Sequence, residues 1–158
     1  MPSEELRKKL QRRKEEAEAA WLLERLGGVR TLGYRQDDEM PDWPASALAA
    51  FQRTDSVPAS RIGDEASDGE VDRWIEEFAA EAGIGSRFYV RTRMELFPWL
   101  DCAVTRPGWA GSLRQVLGSD LVFLSHDARA LVVIFEEEYD YQAFRHPPHA
   151  PRPLGEES

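Results

Sequence analysis

The longest alternation of apolar and polar stretches in the chain runs from Asp120 to Phe144, DLVFLSHDARALVVIFEEEYDYQAF. An apolar run is followed by turn-forming residues at Ser125–Arg129, a second apolar run, and an exit of carboxylates and aromatics. Two short β-prone runs separated by such a turn predict a hairpin with a buried strand and a charged end. The helical signal is strongest over Glu70 to Ala82. There Val71, Trp74, Ile75, Phe78 and Ala82 recur on one face of a 3.6-residue period, with Asp68 as a candidate N-cap and Gly83 as a stop. The opposite face, Asp72, Glu76, Glu77 and Glu81, reads as solvated or as an alternative docking face.

Ser3 to Leu26 predicts a first helix capped by Ser3 and ended by Gly27-Gly28, with Glu4–Lys8 and Glu5–Lys9 as favourable pairs. Its first half carries only Leu6 and Leu10 as apolar residues and is expected to project, while its second half docks through Ala17, Ala20, Trp21 and Leu23. Val29 to Arg35 reads as a short strand, Pro44 to Arg53 as a helix and Thr54 to Gly69 as a loop without apolar period. Arg87 to Met94 alternates, Trp99 to Thr105 reads as a further strand, and Ser112 caps a short helix ended by Gly118. Helices set apart from consecutive strands predict an α+β fold, a largely antiparallel four-stranded sheet packed by helices on one face, with an N-terminal helical arm. The expected organisation is an N-terminal helix over 1–28, a single domain over 29–145 and a disordered proline-rich tail over 146–158.

Composition narrows the function more than the fold. The chain has 158 residues, 42% apolar and 31% charged, with a formal net charge of −9. Residues 61–85 sum to −6 and 120–158 to −5, whereas 86–119 sum to +3. That balance disfavours nucleic acid and anionic membranes and favours a basic partner. A single cysteine, Cys102, precludes an intrachain disulfide and reads as buried and inert; no apolar run spans a membrane, and no secretory signal is visible, so a cytoplasmic protein is expected. Lysine occurs only at Lys8, Lys9 and Lys14 and asparagine not at all, as in a GC-rich bacterial genome. The P-loop, GxGxxG, HExxH and GxSxG patterns are absent, and no cofactor is expected.

Four groups invite a chemical reading. Ser125-His126-Asp127 spells a triad, but neighbouring residues diverge, so it reads as turn chemistry and no catalytic residue is assigned. His146 and His149 form HxxH in the tail without the rigid support a zinc site needs, so no metal ligand is assigned. Trp99 and Trp109 read as anchors of strand ends, with a ligand platform as the alternative. Last, if the final strand continues far enough, Glu136, Glu138 and Asp140 share one face and Glu137, Tyr139 and Tyr141 the other. The carboxylates would then meet an internal arginine face (Arg87, Arg91, Arg93), a basic partner, or a divalent metal shared with Asp101.

The leading expectation is a small acidic binding protein of the bacterial cytoplasm that docks a basic protein partner through Glu136, Glu138, Asp140, Tyr139 and Tyr141. Its analogy is an immunity protein inhibiting a toxin enzyme. The alternatives are a carboxylate-based, metal-dependent hydrolase and a scaffold or oligomerisation module built on the first helix.

Overall fold

A computed structural model describes residues 3–53 and 55–147. The chain runs α1 (Glu4–Arg25), β1 (Val29–Arg35), α2 (Trp43–Phe51), β2 (Ser60–Gly63), α3 (Asp68–Glu81), β3 (Arg87–Arg91), β4 (Trp99–Val104), α4 (Trp109–Leu117), β5 (Leu121–Ser125), β6 (Leu131–Glu136) and β7 (Asp140–His146). The α+β class and the helical N-terminal arm hold. The sheet, however, has seven strands rather than four, ordered β1-β4-β3-β5-β6-β7-β2 with every pair antiparallel.

Three strands enlarge the expected sheet. β1 pairs β4 at one edge, with a register shift between Thr31 and Tyr34 where Gly33 takes a positive φ. β2 lies inside the segment expected to be a loop. It has one apolar residue, Ile62, and becomes a strand by pairing with β7, Ile62 opposite Tyr141. β7 forms because the chain reverses after Glu136 instead of continuing straight, and it runs through His146, the first residue assigned to the tail. Residues 148–158, including His149 of the HxxH pattern, lie outside the described residues.

The helices also depart from the one-face arrangement. Phe88, Val90, Leu100, Cys102, Phe123, Val132 and Ile134 point to the face covered by α3 and α4, through Val71, Ile75, Phe78, Trp109 and Leu113. Leu124, Leu131 and Val133 point the other way, to Trp43, Leu48 and Phe51 of α2. A sheet covered on both faces needs strands that are apolar on both sides. That explains Leu131-Val132-Val133-Ile134, all fully buried.

Ser67, not Asp68, caps α3. Its hydroxyl accepts from Glu70 N, and Ser67 N donates to Glu70 Oε1, a complete capping box. α4 begins at Trp109, after Gly108 at φ 89°, so Ser112 lies inside it and accepts Gly27 N at 2.7 Å. The acidic face of α3 is not simply solvated: Asp72 pairs with Arg114 at 2.6 Å, and Glu76 accepts from Gly108 N and Ala110 N at the start of α4. Those contacts lock α3 to α4 over the sheet. α1 docks through Ala19 and Leu22 and through the buried Glu15, which accepts from Leu96 N and Gln11 Nε2.

Candidate functional site

The five residues expected to meet a partner lie around one feature, the β6–β7 hairpin, but not on one strand face. β6 ends at Glu136, whose N–H donates to Asp120 Oδ1 at 2.9 Å, and the turn closes by Glu137 N donating to Asp140 O at 2.8 Å. Glu138 and Tyr139 therefore sit at the tip, and Tyr139 is 72% exposed. Glu136 is opposite Tyr141 in the register. Tyr141 is half-buried on the α3–α4 face: Arg114 Nη2 donates to its hydroxyl at 3.2 Å, and the guanidinium lies 5.3 Å from its ring centroid. Asp140 projects toward Arg61 at 4.0 Å and accepts from Gln142 Nε2 at 3.3 Å.

The fold adds carboxylates that strand reasoning did not place there. Asp64 N donates to Tyr139 O at 3.1 Å, and Gly63 is opposite Asp140, so the β2–α3 connection with Asp64 and Glu65 runs beside the hairpin tip. Asp120 enters from the start of β5. The end of the sheet thus gathers Asp64, Glu65, Asp120, Glu136, Glu137, Glu138 and Asp140 from three segments, all exposed except the half-buried Asp140. The ion pair seen at this end, among the described residues, is Arg61–Asp140, with the Arg61 side chain 60% exposed. The sequence signal for Asp64 and Glu65 was the −6 block over 61–85; only the β2–β7 pairing carries it to the hairpin.

The internal-pairing reading of these carboxylates does not match the topology. β3 lies between β4 and β5, so its arginines are remote from the β6–β7 tip. They are engaged elsewhere: Arg91 pairs with Asp37 at 3.2 Å and stacks on Trp99, and Arg87 holds Asp101 at 2.9 Å. Asp101 is fully buried and is also held by Arg35 at 3.2 Å, two strands from β5, so it does not join Glu136, Glu138 and Asp140 in the arrangement a hydrolase metal centre would need. Among the described residues, no group of three His, Cys, Asp or Glu side chains converges as a metal site.

The remaining motifs resolve as structure. Ser125 Oγ donates to Asp127 Oδ1 at 2.6 Å and accepts from Arg129 N and Ala130 N, and His126 stacks on Tyr89 with centroids 5.3 Å apart. The Ser125 bond, followed by the Arg129 backbone and charge, holds the Asp127 carboxyl below its ordinary range. This is a turn, with the His126 ring laid against Tyr89. Cys102 is buried, and burial followed by the nearby Asp101 charge pushes its thiol up to about 12, the opposite of nucleophile activation. Trp99 and Trp109 are both buried. Trp99 also walls a cleft of about 320 Å³ under α2, with Asp37, Pro41, Leu48 and Arg91.

No known family model, curated protein or solved structure matches the chain. The functional reading therefore rests on the site alone. No helix among the described residues is long and apolar enough to cross a membrane.

Proposed function

We propose that the chain is a small acidic binding protein that docks a basic protein partner on the β6–β7 end of its sheet, as an immunity protein docks and blocks a toxin enzyme in the bacterial cytoplasm. One observation carries this reading: three separate segments bring exposed carboxylates to the end of the sheet at which Tyr139 is exposed. Concentrated charge of one sign steers the encounter with an oppositely charged surface. An exposed tyrosine at that end supplies contact area with a polar tip at low entropic cost. Within this reading Glu136, Glu138 and Asp140 steer, Tyr139 anchors, and Tyr141 fixes the hairpin against Arg114.

The test is differential capture. Immobilised wild type and the variant Glu136→Lys/Glu138→Lys, which alters exposed side chains only, are exposed to the same source cytosol at low and moderate salt. The proposal expects a basic protein retained by the wild type, released by moderate salt and absent from the variant. Identical retained proteins on both surfaces would overturn it.

A further inference from the structure

We propose that the cleft under α2 is a binding site for a free α-amino acid with an apolar side chain. It lies over β3, β4 and β5, which contribute Arg91, Trp99 and Val122, and not on the β6–β7 hairpin. Its volume of about 320 Å³ falls at the small end of ligand pockets, roughly 300–1,000 Å³, and suits a ligand the size of one residue. Its shape is built in. Pro41 and Pro44 line it, and proline fixes its own backbone angle. The turn that carries Asp37 is tied down: Gln36 N donates to Glu39 Oε1 at 3.2 Å, and Gln36 Nε2 donates to Leu96 O at 2.8 Å. A pocket already ordered costs less free energy to fill.

The ligand is identified by the hydrogen-bonding capacity that the cleft leaves open. Asp37 Oδ1 accepts from Arg91 Nη1 and from Trp99 Nε1, both at 3.2 Å. No hydrogen bond to Asp37 Oδ2 is formed among the described residues. The Asp42 carboxylate, at the start of α2, is exposed and makes no capping bond. Arg91 is held with its guanidinium 5.2 Å from the Trp99 centroid. Its Nη1 is committed to Asp37, which leaves Nε and Nη2 as donors. Two carboxylates and one guanidinium thus line one cleft, and Leu48, Val122 and Trp99 give it an apolar wall. A simple anion meets the carboxylates, and a simple cation meets Arg91. A ligand with both charges on either side of one carbon, and an apolar branch on that carbon, matches all three groups. Its ammonium goes to Asp37 Oδ2 and Asp42, its carboxylate to Arg91, and its side chain against Leu48 and Val122. Hydrogen bonds between ionised partners are the strong ones, and they fix the orientation of the ligand.

Isothermal titration calorimetry of the full chain with L-leucine and L-phenylalanine should show saturable binding at one site. Two fragments of phenylalanine separate the charges: phenethylamine lacks the carboxylate, and phenylpropionate lacks the ammonium. Each should bind about tenfold or more weakly than L-phenylalanine, because a charged group of the cleft then loses its partner. Variants assign the charges to residues. Arg91→Gln should weaken L-phenylalanine and leave phenethylamine unchanged, whereas Asp42→Asn should weaken L-phenylalanine and leave phenylpropionate no weaker than before. Ala49→Trp, at an exposed position on the cleft wall, should abolish binding while circular dichroism and melting match the wild type. Absence of saturable binding by both amino acids would overturn the proposal. So would a fragment that binds as tightly as L-phenylalanine, or binding that survives Ala49→Trp.

Discussion

Asp101 and its neighbour Cys102 show how one strand serves two environments. Asp101 faces the arginine side of the sheet, fully buried yet bonded by Arg35 and twice by Arg87. Cys102 faces the α3–α4 core. Breaking a buried pair from one side usually costs about 3–5 kcal/mol because a charge is stranded. Here the Arg35 and Arg87 side chains are 32% and 45% exposed and can turn to water. Asp101→Asn should therefore cost less, about 1–2 kcal/mol in urea denaturation. A loss near the full buried-pair value would mean that the arginines cannot escape. For Cys102 the sign of linkage is fixed by its raised thiol: the folded state holds the proton up to about 12, while the unfolded thiol releases it near its ordinary 9.0. Stability is then unaffected below that ordinary value and falls as pH rises from it toward the folded one. Correspondingly, a thiol reagent at pH 8 should label Cys102 only as fast as the protein opens, and labelling faster than opening measured by hydrogen exchange would contradict its burial.

Among elements, the end of α1, β1 and the start of α4 meet closely at Gly28. Gly28 holds φ 77°, and a Cβ there would lie 2.9 Å from Trp109 Cα. Both the backbone angle and the approach exclude a side chain, so Gly28→Ala should cost about 2 kcal/mol or more and lower the melting temperature. An unchanged melting temperature would show that α4 can shift as a unit. At this scale the legibility of the sequence follows where the stabilising contacts lie. α3 was readable because its period and its stop are local: Val71, Ile75 and Phe78 mark the buried face without reference to anything else. β5 and β6 were readable because apolar runs flank a turn. β2 was not, because Ser60-Arg61-Ile62-Gly63 has no pattern of its own and exists through hydrogen bonds to β7. β7 reads as a continuation of β6 because FEEEYDYQAF alternates through the reversal. Nothing in the letters says that β5 gives out at Leu121, leaving Glu136 bonded to Asp120 at the last position the sheet supports. The site inherited that error. Glu136, Glu138 and Asp140 were grouped by a strand period that the turn breaks, while Asp64, Glu65 and Asp120 reach the same place only by topology.

Over the whole molecule, exposed carboxylates crowd one end of the sheet, although β2 and β7 there also carry Arg61 and Arg145. Arg30, Arg35, Arg87 and Arg91 lie in β1 and β3, in the half of the sheet remote from β7. The carboxylates Asp64, Glu65, Asp120 and Glu136 to Glu138 lie at the β6–β7 end, where Arg61 is the ion-pair partner seen among the described residues. Like charges kept together without internal partners raise the free energy of the folded state through self-repulsion, and selection for stability alone would disperse them. A docking surface and a structural ion-pair cluster therefore make opposite forecasts for the same substitution. If the end exists to meet a basic partner, Glu137→Gln/Glu138→Gln should stabilise the fold by a few tenths of a kcal/mol to about 1 kcal/mol at low salt, the range for exposed charges. The gain should shrink as salt screens the repulsion, by about a Debye length of 10 Å at 0.1 M. If those carboxylates are instead held in favourable pairs, the same variant should lose stability, and salt should narrow the loss. Urea denaturation of wild type and variant at two ionic strengths separates the cases by sign. Tyr139→Ala belongs in the same series: at 72% exposure the ring contributes little to folding, so its removal should leave the urea midpoint within the range typical of surface substitutions, about half a kcal/mol. A marked loss of stability from Tyr139→Ala, together with destabilisation by the double glutamine variant, would make the hairpin end a structural element and remove the basis for a partner there.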